Sequence, residues 1–60
     1  MLTHLPKDPV ILLGVVNTNL RDYYPSLEEF CFHVNTSADD IKSRLKAIDY
    51  EYDEKRNQFV

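Results

Sequence analysis

The chain is short, at 60 residues, and it carries a single cysteine, Cys31. A chain of this length forms one domain and buries only ~60% of its unfolded surface, so its stability is marginal. Small domains usually compensate with disulfides, a metal ion or a partner chain. One cysteine rules out an intramolecular disulfide and a metal site made only of cysteines. We therefore expect a single domain, residues 1–60, that is either stabilised by a partner or only thinly stable.

The composition is that of a globular protein with an acidic balance. Hydrophobic residues make up 43% and charged residues 28%, as in ordinary folded domains. The net charge of −3 counts against a nucleic-acid-binding module, since such modules are usually basic. The longest apolar stretch, residues 10–16, is far shorter than the ~20 residues of a membrane span, and no cleavable signal peptide is recognisable. We therefore expect a cytoplasmic protein without membrane contact, which the lone thiol also fits.

The first predicted helix covers residues 8–24. Asp8 is a good N-cap, and Pro9 suits the first helical position, where its missing N–H costs nothing. Apolar residues with a 3.6-residue period predict the buried face, and they are Leu13, Val16, Leu20 and Tyr23. Val10, Ile11, Leu12 and Val15 are apolar too, so the first turns are hydrophobic almost all round. This partly β-branched run keeps a buried strand over residues 10–16 open as an alternative.

Serine caps begin two further predicted helices. Ser26 opens a capping-box pattern and begins a helix over residues 26–35, where Asn35 tolerates the left-handed conformation of a helix end. Ser37 begins a third helix over residues 37–48, with aspartates in its first turn, where the helix dipole favours acids. The apolar stripes of the two helices are Leu27, Phe30, Cys31 and Val34, and then Ile41, Leu45 and Ile48.

The C-terminal segment, residues 49–60, is predicted to form a β-hairpin. Residues 50–53 alternate between tyrosine and acid with the period of a strand, and residues 53–56 suit a four-residue turn. In that register Tyr50 lies opposite Phe59 as a cross-strand aromatic pair. The fold class is therefore α+β, mainly α: a three-helix bundle with a C-terminal hairpin. Residues 1–7 precede it as a short arm, and the first five of them are able to add a third strand to the hairpin.

The sequence carries no constellation typical of an enzyme or a metal site. Cys31 and His33 are two residues apart, so on a helix they point to different sides, and His4 is distant. The acidic segment 49–54 has neither the glycine nor the terminal bidentate glutamate of a calcium loop. We expect no catalytic activity, no cofactor, no metal and no small-molecule substrate.

The first helix carries more apolar residues than the predicted core needs. Those on the side away from the other helices are expected to pack against the arm, the hairpin or another chain. Each one that stays exposed to solvent loses ~1.5–3 kcal/mol of hydrophobic stabilisation. The residues concerned are Val10, Ile11, Leu13 and Val15. We expect a homodimer or a protein-docking surface here, whereas a monomer results if the arm and hairpin cover this face.

Asn17 borders the core face of the same helix, and a buried asparagine needs hydrogen-bond partners. The favoured interpretation is a bond to the loop at Pro25 or to the hairpin. The alternative is a polar contact that fixes the register of a dimer.

Residues 26–45 resemble a helix-turn-helix motif of the winged kind. Cys31 is the small residue at the helix crossing, Asn35 stands at the turn, and the apolar positions are Val34, Ile41 and Leu45, whereas Thr36 departs from the usual aliphatic residue. The resemblance implies a hairpin that acts as a wing, and a DNA-contacting set formed by Lys42, Lys46, Lys55 and Arg56. Residues 37–60 hold five basic and six acidic residues, which argues against phosphate contact.

The favoured function is therefore a non-enzymatic interaction module that self-associates through the first helix. The alternative is a weak DNA-binding or accessory transcription protein.

Nearly the whole chain also resembles a family of short bacterial proteins known only as a domain of unknown function. The matching pieces are residues 5–9, 16–18, 20–22, 26–27, 48–53 and 57–59. The resemblance implies a stand-alone cytoplasmic protein and supplies no activity, substrate or site.

Overall fold

The computed structural model describes residues 5–60, which form three helices followed by a two-stranded antiparallel sheet. The elements are α1 (Pro9–Asp22), α2 (Leu27–His33), α3 (Ala38–Lys46), β1 (Tyr52–Asp53) and β2 (Gln58–Phe59). The predicted α+β, mainly α, fold is confirmed, and residues 10–16 are helical. Residues 1–4 of the predicted arm, and with them most of the predicted third strand, lie outside the described residues.

Each helix begins with the cap that the sequence predicts. The amide of Val10 donates to Asp8 Oδ1 at 2.9 Å, and Pro9 occupies the start of α1. Ser26 Oγ accepts from the third residue of α2 at 3.2 Å, and Ser37 Oγ accepts from the third residue of α3 at 3.4 Å. These bonds satisfy amides that have no partner inside the helix, so the three helix starts are fixed locally.

Residues in the left-handed conformation follow α2 and α3. Asn35 has a φ of 56°, as predicted for the end of the second helix, and Asp49 has a φ of 64°. Short polar residues adopt this conformation more readily than others. Beyond Asp49, the amide of Tyr50 donates back to the Leu45 carbonyl at 3.0 Å. The chain thus leaves α3 by a tight turn that holds Tyr50 before the strand begins.

The buried face of α1 is rotated from the predicted one. Leu12, Val16 and Leu20 are buried, whereas Leu13 is only half-buried and Tyr23 is 74% exposed. The prediction was wrong at Tyr23, and it did not place Leu12 on the buried face, because a run that is apolar all round does not show which side faces inward. The helix ends before Tyr23.

The register of the hairpin also differs from the predicted one. Tyr52 lies opposite Phe59 and Asp53 opposite Gln58, so the predicted pairing of Tyr50 with Phe59 was wrong. A cross-strand aromatic pair still forms, because the rings of Tyr52 and Phe59 lie 5.4 Å apart.

The loop that sets this register is residues 54–57, one residue later than predicted. Asp53 Oδ1 accepts from the amides of Lys55 and Arg56 at 3.0 and 3.3 Å, so the aspartate organises the turn that follows it. Asn57 closes the loop at a φ of 53°. Asp53 is therefore the last residue of β1 and not the first of the turn.

The core lies where the three helices meet the inner face of the hairpin. All three helices and β2 contribute to it, and its members are Leu12, Val16, Leu20, Leu27, Phe30, Cys31, Ile41, Leu45 and Phe59. The predicted stripes of the second and third helices are confirmed by the burial of Leu27, Phe30, Cys31, Ile41 and Leu45. Phe59 joins this core, so the hairpin is part of the domain and does not project from it.

Candidate interaction surfaces

One face of α1 is exposed and uncharged, and it is apolar at its N-terminal end. Val10 is 66% exposed and Ile11 is 57% exposed, and both lie in the first turns of the helix. A Cβ added to Gly14, one turn later, meets nothing within 4 Å. Thr18, a further turn along, is exposed as well. We call these four residues the outer face of α1. Residues 9–20 contain no charged side chain, which is unusual for a helix surface that faces solvent.

Only two of the four residues predicted for self-association belong to this face. Leu13 and Val15 are half-buried, and Leu13 packs against the core. Val10 and Ile11 are the exposed members. The surplus of apolar residues on α1 is thus smaller than the sequence indicates, and it is concentrated at the N-terminal end of the helix.

The side chain of Asn17 forms two hydrogen bonds to the main chain of β2. Its side-chain amide donates to the Phe59 carbonyl at 3.1 Å, and its Oδ1 accepts from the Phe59 amide at 2.8 Å. The asparagine side chain thereby imitates a neighbouring strand along the outer edge of β2. The favoured interpretation of Asn17, a hydrogen bond to the loop at Pro25 or to the hairpin, is therefore correct, and its partner is the hairpin.

Asn57 joins the hairpin to both sides of the α1–α2 connection. Its Nδ2 donates to the Leu20 carbonyl at 3.0 Å and to the Tyr24 carbonyl at 2.8 Å. Its Oδ1 accepts from the Tyr52 hydroxyl at 2.6 Å, and that hydroxyl oxygen accepts from the Leu27 amide at 3.2 Å. The network therefore satisfies polar groups at the end of α1 and at the start of α2.

This network is not evident from the sequence, which predicts Asn57 and Tyr52 only as residues of the hairpin. An asparagine close to a turn is the one signal that pointed to Asn57. Its partners are carbonyls more than thirty residues away in sequence, and no local pattern identifies them.

The four cationic residues implied by the helix-turn-helix resemblance lie on α3 and in the hairpin loop. Lys46 Nζ lies 2.7 Å from Glu51 Oε2, and Arg56 Nε lies 3.7 Å from Asp53 Oδ2. The hydrogen bond raises the pKa of Lys46 and lowers the pKa of Glu51. Lys42 and Lys55 are exposed and form no ion pair within residues 5–60. Two of the four cations are thus already paired with carboxylates.

An open groove of about 510 Å³ runs between α3 and the hairpin. Its lining residues are Asp39, Lys42, Ser43, Lys46, Tyr50, Glu51 and Tyr52. A second groove of about 500 Å³ shares Asp39, Lys42 and Tyr52 with the first and continues past Glu28 and Glu54 to the start of α2. We call the two together the β1 groove. Its walls carry four carboxylates and two lysines, so its charge is net negative.

Cys31 and His33 do not form a joint site. Cys31 is buried in the core, and burial raises the pKa of its thiol above the ordinary value. His33 is exposed, and its ring lies 5.3 Å from the ring of Tyr24. Within the described residues no group of three or more histidine, cysteine or acidic side chains is placed to hold a metal ion. His4 lies outside those residues.

Across residues 5–60, every helix is too short or too polar to cross a membrane. A family model with the description "Domain of unknown function (DUF4250)" matches residues 6–59 of the chain. The searches of curated proteins and of solved structures gave no match.

Proposed function

We propose, for a chain that belongs to the family described as "Domain of unknown function (DUF4250)", a role as a non-enzymatic interaction module that self-associates through the outer face of α1. The observation that carries the proposal is the exposure of Val10 and Ile11 on a helix stretch without charge. The proposal places the protein in the cytoplasm, where a free thiol such as Cys31 stays reduced.

The outer face suits a second copy of the same chain because it is electrostatically neutral. The whole chain has a net charge of −3, so most ways of bringing two copies together place acids against acids. A two-fold interface sets the same patch of each copy against itself. A patch free of charge has no like-charge repulsion to overcome, and it leaves no ion buried without a partner.

Gly14 adds a geometric reason. It lies between the exposed pair at positions 10 and 11 and the exposed Thr18, with open space where a side chain would project. A glycine at this place lets a second helix approach the backbone closely. A stable dimer buries ~800 Å² on each partner, which is about a fifth of the 4372 Å² that the chain exposes. The interface must therefore extend from the outer face to its surroundings.

The test is the solution mass across a concentration series, measured by light scattering. The monomer mass is 7.1 kDa, so a dimer is readily recognised. We expect the natural chain to dimerise and Val10→Glu to be monomeric, since the substitution buries a carboxylate in the interface. An acid in the first turn of a helix is favourable, so the variant should still fold.

Phe32→Glu is the matched control. Phe32 is 81% exposed on α2, and its replacement removes a larger exposed apolar side chain from another surface. We expect this variant to remain a dimer. A natural chain that stays monomeric at high concentration contradicts the proposal, as does a Phe32→Glu variant that dissociates while Val10→Glu does not.

DNA binding is the weaker proposal for this chain. In its favour, Lys42 and Lys55 have no ion-pair partner within the described residues. Against it, Lys46 and Arg56 are paired with carboxylates, and the β1 groove beside α3 is net negative. Phosphate contacts supply most of the affinity of such modules, so these charges favour a protein partner over a nucleic acid.

A further inference from the structure

The outer edge of β1 carries main-chain groups that have no hydrogen-bond partner in the part of the chain that the structure describes. Glu51 and Val60 exchange two hydrogen bonds, of 3.0 and 2.8 Å. In an antiparallel pair the hydrogen-bonded positions alternate with non-bonded ones, so Tyr52 and Phe59 form a non-bonded pair. The N–H and C=O groups of both residues therefore point away from each other, toward the two outer edges of the sheet.

The two outer edges of the sheet differ in their hydrogen bonding. On the β2 edge, Asn17 bonds both main-chain groups of Phe59. On the β1 edge, the outward-pointing N–H and C=O groups of Tyr52 have no turn, loop or side-chain hydrogen bond within residues 5–60, where only the Tyr52 hydroxyl is bonded. An open strand edge is a template for pairing with another extended segment. Among residues 5–60, the outer edge of β2 is thus covered and the outer edge of β1 is free.

The free edge opens into the β1 groove. The hairpin residues that line the groove are Tyr50, Glu51, Tyr52 and Glu54, and neither residue of β2 takes part. Consecutive strand residues point their side chains to opposite faces of a sheet, so a groove lined by residues 50–52 follows the edge and not a face. The opposite wall is α3. The hairpin residues that line the groove run from Tyr50 to Glu54, so a segment of about five extended residues, ~17 Å long, is enough to follow them.

We infer that the β1 groove binds an extended, lysine- or arginine-bearing segment of a partner protein, which adds to β1 as a third strand. Main-chain hydrogen bonds to Tyr52 supply the strand pairing. The charge of the walls selects the side chains, because Glu28, Asp39 and Glu54 outnumber Lys42 once Lys46 is paired with Glu51. The exposed ring of Tyr50 offers an aromatic surface to a cationic side chain.

The inference is independent of self-association through α1. The outer face of α1 and the β1 groove share no residue. Val10→Glu is therefore expected to leave binding in the groove unchanged, so that failure of one proposal is distinguishable from failure of the other.

The test uses a fluorescein-labelled peptide of about nine residues in which lysine alternates with threonine, with both ends blocked. Binding is measured by fluorescence anisotropy, and the Tyr52 amide is followed by NMR and by hydrogen exchange. We expect saturable binding, together with slower exchange of the Tyr52 amide in the complex. The same peptide N-methylated at alternate residues lacks the donors for strand pairing and is expected to bind about tenfold more weakly or worse.

Two charge variants complete the test. Glu54→Lys reverses a charge in the groove and is expected to weaken binding about tenfold. Glu29→Lys makes the same change at an exposed position outside the groove and is expected to bind normally.

Four results overturn the inference: no binding, equal binding of a peptide with glutamate in place of lysine, equal binding of the N-methylated peptide, or equal loss in both charge variants. A Tyr52 amide that becomes protected with rising protein concentration alone also overturns it, because the second copy then occupies the edge.

Discussion

Asn57 is the residue on which the attachment of the hairpin most depends. Its left-handed conformation closes the loop, and its side chain binds the carbonyls of Leu20 and Tyr24 and the hydroxyl of Tyr52. We expect Asn57→Ala to lower the free energy of unfolding by about 3 kcal/mol, because backbone strain adds to the loss of several hydrogen bonds. Urea unfolding followed by circular dichroism measures the change.

Asn35 provides the control for this prediction. It shares the positive φ, but its side chain forms no hydrogen bond within residues 5–60. Asn35→Ala therefore loses only the conformational preference and is expected to cost about 1 kcal/mol. Equal losses in the two variants would show that the network around Asn57 contributes nothing.

The thiol of Cys31 should make stability depend on alkaline pH. Burial raises the pKa of the thiol in the folded chain, so the unfolded chain ionises first. The free energy of unfolding is therefore highest below the ordinary thiol pKa of about 8.5. It falls as pH rises from there toward the pKa of the thiol in the folded chain. We expect the free energy of unfolding to decrease as pH rises above about 8.5, where the thiol of the unfolded chain ionises.

Cys31→Ala tests whether the thiol is the cause. The variant leaves a small cavity and is less stable at pH 7. Its free energy of unfolding should nevertheless stay level over the alkaline range in which the natural chain loses stability. If the free energy of unfolding falls equally with pH in both proteins, another titrating group causes the effect.

At the scale of elements, the sequence predicts well what is decided locally. The starts of all three helices follow from Asp8, Ser26 and Ser37, because a capping side chain reaches only two or three residues along the chain. The buried face of α1 is less predictable, since residues 10–13 are all apolar and their burial depends on how the neighbouring helices pack.

The hairpin register and the β1 groove cannot be predicted from local sequence patterns, because both depend on contacts between residues far apart in the chain. The register depends on Asn57, whose partners belong to the end of α1 and the loop after it. The groove depends on how far α3 lies from the free edge of β1, and no periodicity encodes that distance. Asn17 is intermediate: its position on α1 predicts a polar partner, and only the structure identifies Phe59.

Gly14 permits a test of α1 as an element. Its φ is not positive, and an added Cβ meets nothing within 4 Å. Gly14→Ala should therefore stabilise the folded monomer by about 0.5–1 kcal/mol, since glycine lowers helix stability by that amount. The same methyl group should weaken the proposed dimer by holding the two helices apart.

Unfolding at low protein concentration measures the first effect, and light scattering measures the second. Thr18→Ala, which removes atoms from the same face, should leave the dimer largely intact. A Gly14→Ala variant that is more stable but dimerises as before would place the helix contact away from Gly14.

At the scale of the whole molecule, charge decides between a protein partner and DNA. Arg21, Arg44, Lys46 and Arg56 each pair with a carboxylate, and within residues 5–60 this leaves Lys7, Lys42 and Lys55 as the cations without an ion pair. Three separate lysines do not make a basic surface on a chain with a net charge of −3. A dimer doubles that net charge, so self-association alone does not create one.

We therefore expect a fluorescent DNA duplex to show no measurable binding at ~0.15 M salt. At lower salt we expect only weak binding, which falls steeply as salt is added. If Lys42 and Lys55 each contact a phosphate, the double variant Lys42→Glu/Lys55→Glu should reduce the slope of log affinity against log salt by about two. Lys7→Glu, which changes a cation outside the helix-turn-helix region, is the control. Sequence-selective binding at ~0.15 M salt that the double variant abolishes would reverse the order of the two proposals, because weak charge attraction alone does not distinguish sequences.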